Sequence, residues 1–265
     1  SLITTANGFV GETTWIVQVA TLLLCSGSPA VVVALATLVA APDVPVIVPD
    51  VNLGDIASIE RQGYPGGGFI VANPNCAAAG LVSALAPLRP FGIAEVNVAT
   101  CQSISGAGYP GLSAMDIAGD LVPFIPGEEE KIARETRLIL GIDAPIRPVC
   151  VRVPVRFGHL ETVWVRFDRP VRRWEILDAW AGAGVAGTDL PTMPARAIEW
   201  CDREDLPRPS MSFCGEPPGM TVYTGRLHAE GERAHFVLLS NNLVKGAAGG
   251  SVSNAEAFMR CYGEI

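Results

Sequence analysis

Hydrophobic and polar positions change period several times along this chain. Gly68 to Ala72 is a short apolar run closed by Asn73-Pro74 and predicts a strand. Cys76 to Leu85, CAAAGLVSAL, is rich in Ala and Leu and predicts a helix that Pro87 stops. Ile93 to Cys101 predicts a second strand, and Gln102 to Gly111, QSISGAGYPG, a glycine-rich turn. Glu128 to Leu140 has an amphipathic helical pattern ending at Gly141, which suits a C-cap. Cys150–Val155 and Thr162–Phe167 alternate as strands, with Val163, Val165 and Phe167 on one face. Arg173 to Ala183 predicts a helix with Trp174, Leu177 and Trp180 on one side. Met220–His228 and Ala234–Leu239 predict a hairpin, and Gly246 to Tyr262 is helical after Ser251. Strands and helices mix throughout, so the fold class is α/β with a sizeable α+β portion.

The first forty residues fit this scheme poorly. Thr21–Cys25 and Ala30–Val39 both read as buried strands, yet only Ser26–Pro29 separates them. A parallel pair needs a crossover of about a dozen residues, which leaves a hairpin, an unusual local fold or an incomplete segment. The apolar run Ala30–Ala41 is too short to span a bilayer, and no basic stretch precedes it as in a signal peptide.

Composition narrows the class. With 265 residues, 49% of them hydrophobic, the chain can bury a sizeable core, and 17% charged residues argues against disorder. The net charge is -8 and the basic residues are scattered, which excludes a nucleic-acid groove. Seven cysteines at irregular spacings form no CxxC or Cys/His cluster, so no metal site is expected. Most read as small buried hydrophobes in a reducing, cytoplasmic compartment.

The sharpest local chemical signal is the strand–NPN–Cys76–helix arrangement. A thiol at a helix N-terminus faces unsatisfied N–H groups and the positive end of the dipole, which predicts a lowered thiol pKa. A buried, inert helix-start cysteine fits the same local pattern. A nucleophile needs a base within reach. Of three histidines, His159 follows Gly158 in an expected turn between strands and is expected to be accessible. His228 and His235 flank the hairpin and read as surface or structural residues.

Five segments, in order, resemble the aspartate-β-semialdehyde dehydrogenase family. ANPNCAAAGLVSALAPL (Ala72–Leu88) is similar to its active-site cysteine segment, and CQSISGAGYPG (Cys101–Gly111) to its Gln-plus-glycine loop. VPFIPGEEEKIARETRLILG (Val122–Gly141) resembles its substrate-binding helix, CVRVPVRFGHLE (Cys150–Glu161) its Arg…His motif, and SNNLVKGAAGGSVSNAE (Ser240–Glu256) its C-terminal cofactor-side segment. The details lean toward the archaeal and fungal branch, which includes malonyl-CoA reductases.

The resemblance implies a remnant or partial Rossmann-like domain, residues 1–101 and 246–265, joined to an α+β catalytic and dimerisation domain with a mixed β-sheet, residues 102–245. It implies Cys76 as nucleophile, Gln102 orienting the acyl group and His159 as general acid/base. Asn75, Glu128, Lys131 and Arg152 would bind substrate: Arg152 an α-carboxylate, Glu128 an α-ammonium and Lys131 a phosphate. Glu128 and Lys131 share a helix face, a spacing that a solvated charged face would also show. Ser105, Gly106, Gly108 and Asn242 would line the nicotinamide of NADP. The implied chemistry is attack of Cys76 on an acyl phosphate of an amino acid, then reduction of the thioester by NADPH in a cytoplasmic homodimer.

Two departures leave an alternative open. The family's opening GxxGxxG-type turn has its nearest match in TTANGFVG (Thr4–Gly11), with Thr5 at the first glycine, which predicts a degenerate or incomplete dinucleotide region. Where the family carries a basic pair for phosphate, Ala34–Ala41 reads ALATLVAA. The alternative is a cofactor-free acyltransferase that passes the Cys76-bound acyl group to an amine or other nucleophile.

Overall fold

The computed structural model describes residues 43–64, 69–108, 110–183 and 189–263, preceded by two strands, β1 (Leu22–Leu23) and β2 (Val31–Ala34). The expected phosphate turn at Thr4–Gly11 and most of the uncharged stretch Ala34–Ala41 lie outside the described residues. β1 and β2 pair antiparallel, as a hairpin, and β2 pairs in parallel with β3 (Phe69–Ala72).

Between them the chain makes one helical turn, α1 (Pro49–Asn52), and a 3₁₀ segment, Leu53–Gln62. After β3 comes α2 (Cys76–Leu85), with the expected bounds. Pro87 does not stop the chain's helical course, which tightens into a 3₁₀ stretch, Ala86–Phe91. At the start of such a turn the missing proline N–H has no partner to lose. The 14-residue α6 (Gly249–Tyr262) packs beside the small sheet, where Tyr64 meets Phe69, Phe258 and Tyr262 edge-on.

The second sheet has six strands in the order β5-β4-β6-β9-β8-β7: β4 (Ile93–Ser103), β5 (Ile146–Val153), β6 (His159–Phe167), β7 (Ile198–Cys201), β8 (Val222–Glu230) and β9 (Arg233–Ser240). It is mixed: β4–β5 and β7–β8 are parallel and the remaining pairs antiparallel. β4 runs continuously through Ser103, so the expected domain boundary at residues 101/102 falls inside a strand. Helices α2, α4 (Glu128–Leu140) and α5 (Arg173–Ala181) cover one face of this sheet; a single turn, α3 (Ala114–Ile117), lies outside it. The main core, including Leu81, Leu85, Val98, Val163 and Phe236, fills the space between. Among the described residues no helix is long and apolar enough to cross a membrane.

Some expectations fail for reasons of packing. Helical spacing puts Trp174 with Trp180 on one face of α5, yet Trp174 is 56% exposed while Trp180 is buried against Trp200 and Phe236. Of the six described cysteines only Cys150 and Cys201 are buried; Cys101, Cys214 and Cys261 are exposed, against the expectation that most are core residues. His228 and His235 are exposed, as expected, and stack at 5.2 Å.

Candidate functional site

The chain between β3 and α2 is pinned on both sides. Asn73 is buried and donates to Ala247 O and Ser251 Oγ, while Asn254 Nδ2 donates to its side-chain Oδ1. Asn75 caps α2: its Oδ1 accepts from the N–H groups of Ala77 (2.9 Å) and Ala78 (3.1 Å). Such a cap satisfies two of the free donors of the first turn. Its Nδ2 donates to Glu128 Oε1 at 2.6 Å, and its main-chain N–H donates to the buried Glu135 carboxylate. Cys76 follows, half-buried, as the first residue of the helix.

The sheet brings the partners. Gln102 is directly opposite Arg152, and His159 opposite Ser240, on the face beneath α2. Cys76 Sγ lies 3.1 Å from His159 Nε2. Gln102 Nε2 donates to Glu128 Oε1 at 3.1 Å, and Arg152 Nη1 to the Ser103 carbonyl at 2.8 Å. Cys76, Asn75, Gln102, Glu128, Arg152 and His159 therefore converge on one site. Lys131 lies half-buried on α4, one turn beyond Glu128.

His159 is not in a turn and not accessible. It is the first residue of β6 and 0% exposed. Ser103 N–H donates to its Nδ1 at 3.1 Å, with Ser103 Oγ at 3.3 Å. A main-chain donor at Nδ1 favours the neutral tautomer that carries its proton on Nε2, the nitrogen facing Cys76. Burial, assisted by the Arg152 charge, holds the imidazole pKa down to about 3.

The thiol departs from expectation in the same way. Burial, then the charge of Glu128, pushes Cys76 up to about 12, although Arg152 and the Ala77 N–H pull the other way. The helix-terminus effect is present, but desolvation outweighs it. Cys76 and His159 thus rest as a neutral pair.

On the open side, Ile104–Ala107 forms a 3₁₀ turn carrying Ser105 and Gly106. A Cβ on Gly106 would sit 2.8 Å from Arg152 Nη1 and 3.0 Å from His159 Cε1, so glycine leaves room that a side chain would fill. Around Gly108 nothing approaches within 4 Å of a Cβ position. Asn242 is held at both ends: its Oδ1 accepts from Ser103 Oγ and Gly158 N, each at 3.0 Å, and its Nδ2 donates to Ser105 Oγ at 2.9 Å. It ties the glycine loop to the start of β6. The described residues contain no group of three or more His, Cys, Asp or Glu arranged to hold a metal.

Three residues of this site had no role in the sequence reading. Glu135 lies seven positions after Glu128, on the same face of α4. Ser103 prolongs β4 by alternation. Glu161 and His159 extend backwards the face already defined by Val163, Val165 and Phe167.

Residues 85–245 match the family model described as the semialdehyde dehydrogenase dimerisation domain. An aspartate-semialdehyde dehydrogenase from Archaeoglobus fulgidus is 40% identical over 232 residues, covering 83% of this chain and 67% of that protein. One from Methanothermobacter thermautotrophicus is 37% identical over 81% of this chain and 67% of its own length. The crystal structure of aspartate semialdehyde dehydrogenase with NADP from Candida albicans superposes with a TM-score of 0.70 at 30% identity, covering 82% of this chain and 66% of that one. The chain spans about two thirds of the length of these relatives.

Proposed function

Because this chain belongs to the aspartate-semialdehyde dehydrogenase family, we propose that it forms a Cys76 thioester from an amino-acid acyl phosphate and reduces it to the semialdehyde with NADPH. The observation that carries this reading is the 3.1 Å approach of Cys76 Sγ to His159 Nε2 at the capped head of α2. As the Cys76 sulfur bonds to the acyl carbon, the carbon–oxygen bond to phosphate breaks and phosphate leaves, carrying away the thiol proton. NADPH, when bound, supplies the hydride. His159 Nε2–H acts as the acid of the pair by donating a hydrogen bond to the oxygen that becomes negative, and as the carbon–sulfur bond breaks the aldehyde departs and the Cys76 sulfur regains a proton from water.

The remaining roles follow from donors and charge. Gln102 orients the acyl group beside Cys76. Arg152 spends one N–H on Ser103 O, which leaves donors for a substrate carboxylate. Glu128, already gathering the Asn75 and Gln102 amides, receives the ammonium, and Lys131 the phosphate. The open approach over Gly106 and Gly108, with Ser105 and Asn242 behind it, fits the nicotinamide end of NADP.

Residues 102–245, with the rest of β4, act as the catalytic and dimerisation part, and the layer around β3 and α6 as the nucleotide-binding-like part. The match to a dimerisation domain supports a homodimer, with the face bearing the exposed Val149 and Trp164 as its contact. A cytoplasmic setting suits a nucleophilic thiol.

The test is to mix the chain with NADPH and aspartyl phosphate, following absorbance and intact mass. We expect NADPH oxidation, with an acyl adduct that Cys76→Ala abolishes. Acylation of Cys76 without NADPH binding or oxidation at millimolar cofactor would sink the dehydrogenase reading in favour of transfer to an amine.

A further inference from the structure

Behind the row that holds Gln102, Arg152 and His159 lies a second polar row. Thr100 pairs with Cys150 on one side and Glu161 on the other; Glu161 pairs with Leu238, and Leu238 with Thr224. One step further the face turns apolar, with Val98, Val163 and Phe236. Glu161 is 0% exposed, and neither of its carboxyl oxygens meets a hydrogen-bond partner among the described residues. Thr224 Oγ1 and Ser240 Oγ, in the same two rows, are also without one.

The titratable and charged groups on this side of the sheet include Cys76 from α2, Glu128, Glu129, Lys131 and Glu135 from α4, Cys150 and Arg152 from β5, and His159 from β6. The polar side chains that β8 and β9 add to these rows are those of Thr224 and Ser240. A carboxylate buried without partners takes up a proton instead. We propose that Glu161 is a positioning residue of the Cys76–His159 pair, held as a neutral carboxylic acid one pleat behind it so that the pocket's new negative charge goes to the Cys76 sulfur. This inference rests on the reading of Cys76 as nucleophile.

Two further facts agree. Burial, then the nearby Glu128, raises the Glu161 carboxyl well above the ordinary glutamate range. Ionised Glu161 in turn raises the Cys76 thiol. Two negative charges in one dry pocket disfavour each other, so the Glu161 carboxylate and the Cys76 thiolate are alternatives. No proton is asked of Glu161; its role is to remain uncharged while sulfur reacts.

The experiment is iodoacetamide alkylation of the full chain against pH, read at the Cys76 peptide by mass spectrometry, for wild type and Glu161→Gln. At about pH 6 the two rates agree within about twofold. At higher pH, once wild-type Glu161 has lost its proton, the Gln variant reacts about threefold to tenfold faster. Superimposable profiles, or a variant slower throughout, overturn the proposal. A purely structural role would lower stability and leave the profile unmoved. Should Glu161→Gln fail to fold, infrared spectroscopy of the Glu135→Gln chain at neutral pH decides. A protonated-carboxyl carbonyl band supports the proposal, and its absence overturns it. Neither measurement uses hydride transfer, so loss of the dehydrogenase reading and loss of this one are separately visible.

Discussion

The Glu135 carboxylate on α4 accepts the main-chain N–H of Asn75, the residue that caps α2 and precedes Cys76. A buried acid thus fixes the peptide from which the reactive helix starts. In Glu135→Ala that N–H is left buried and unpaired, at a cost of about 1–3 kcal/mol. Denaturant titration should show this loss, with slower acylation of Cys76. Glu135→Gln keeps an acceptor oxygen and should recover most of both. An alanine variant as stable as wild type would mean that the contact is dispensable.

Gly106 gives a second prediction. A methyl group there must displace Arg152 or His159, both held by hydrogen bonds to Ser103. Gly106→Ala should lower kcat/KM about tenfold to a hundredfold, with a melting temperature close to wild type. Steady-state kinetics with unchanged kcat/KM would remove the close approach from the argument.

His159 separates the two halves of the proposed reaction. His159→Ala should reduce turnover about 10²–10⁴-fold while intact mass still shows the Cys76 adduct. Failure of the variant to acylate at all would make the imidazole necessary for thioester formation as well.

Glu161 has a stability consequence whose sign follows from linkage. Its folded-state pKa is raised, so between the ordinary glutamate value and the raised one the native state binds more protons than the unfolded state. The stability it contributes is present below the ordinary value and is lost as pH rises toward the folded one. Glu161→Gln removes that dependence. The melting temperature of the variant minus that of wild type should therefore grow as pH rises from the ordinary glutamate range into the alkaline range. A constant difference across this range would contradict a raised pKa.

Much of the site was legible because local signals marked it. The Asn-Pro-Asn turn, the Ala-rich helix and Gly141 set the bounds of α2 and α4 from nearby residues alone. The position of His159 was not local. Gly158 reads as a turn, but pairing of His159 with Ser240, far along the chain, starts the strand one residue later and buries the ring. The thiol failed for a related reason. A helix terminus can be read from sequence, whereas the dry surroundings of Cys76 and the charge of Glu128 appear only when α2, α4 and the sheet come together. Trp174 and Trp180 show the limit of periodicity: which of two aromatic residues faces inward depended on Trp200 and Phe236.

The five-residue π turn Val244–Ala248 sets Gly246 against Cys76, where a Cβ would lie 2.7 Å from the cysteine Cβ. A π turn holds one residue more than an α turn, and each helical residue advances the chain by about 100°. Deleting one residue here would convert the wide turn to a regular one and rotate every later side chain of α6. Asn254 would then swing away from Asn73, and the support of the Asn-Pro-Asn turn with it. The stretch is a spacer of set length, and at Gly246 it is closed to a side chain as well.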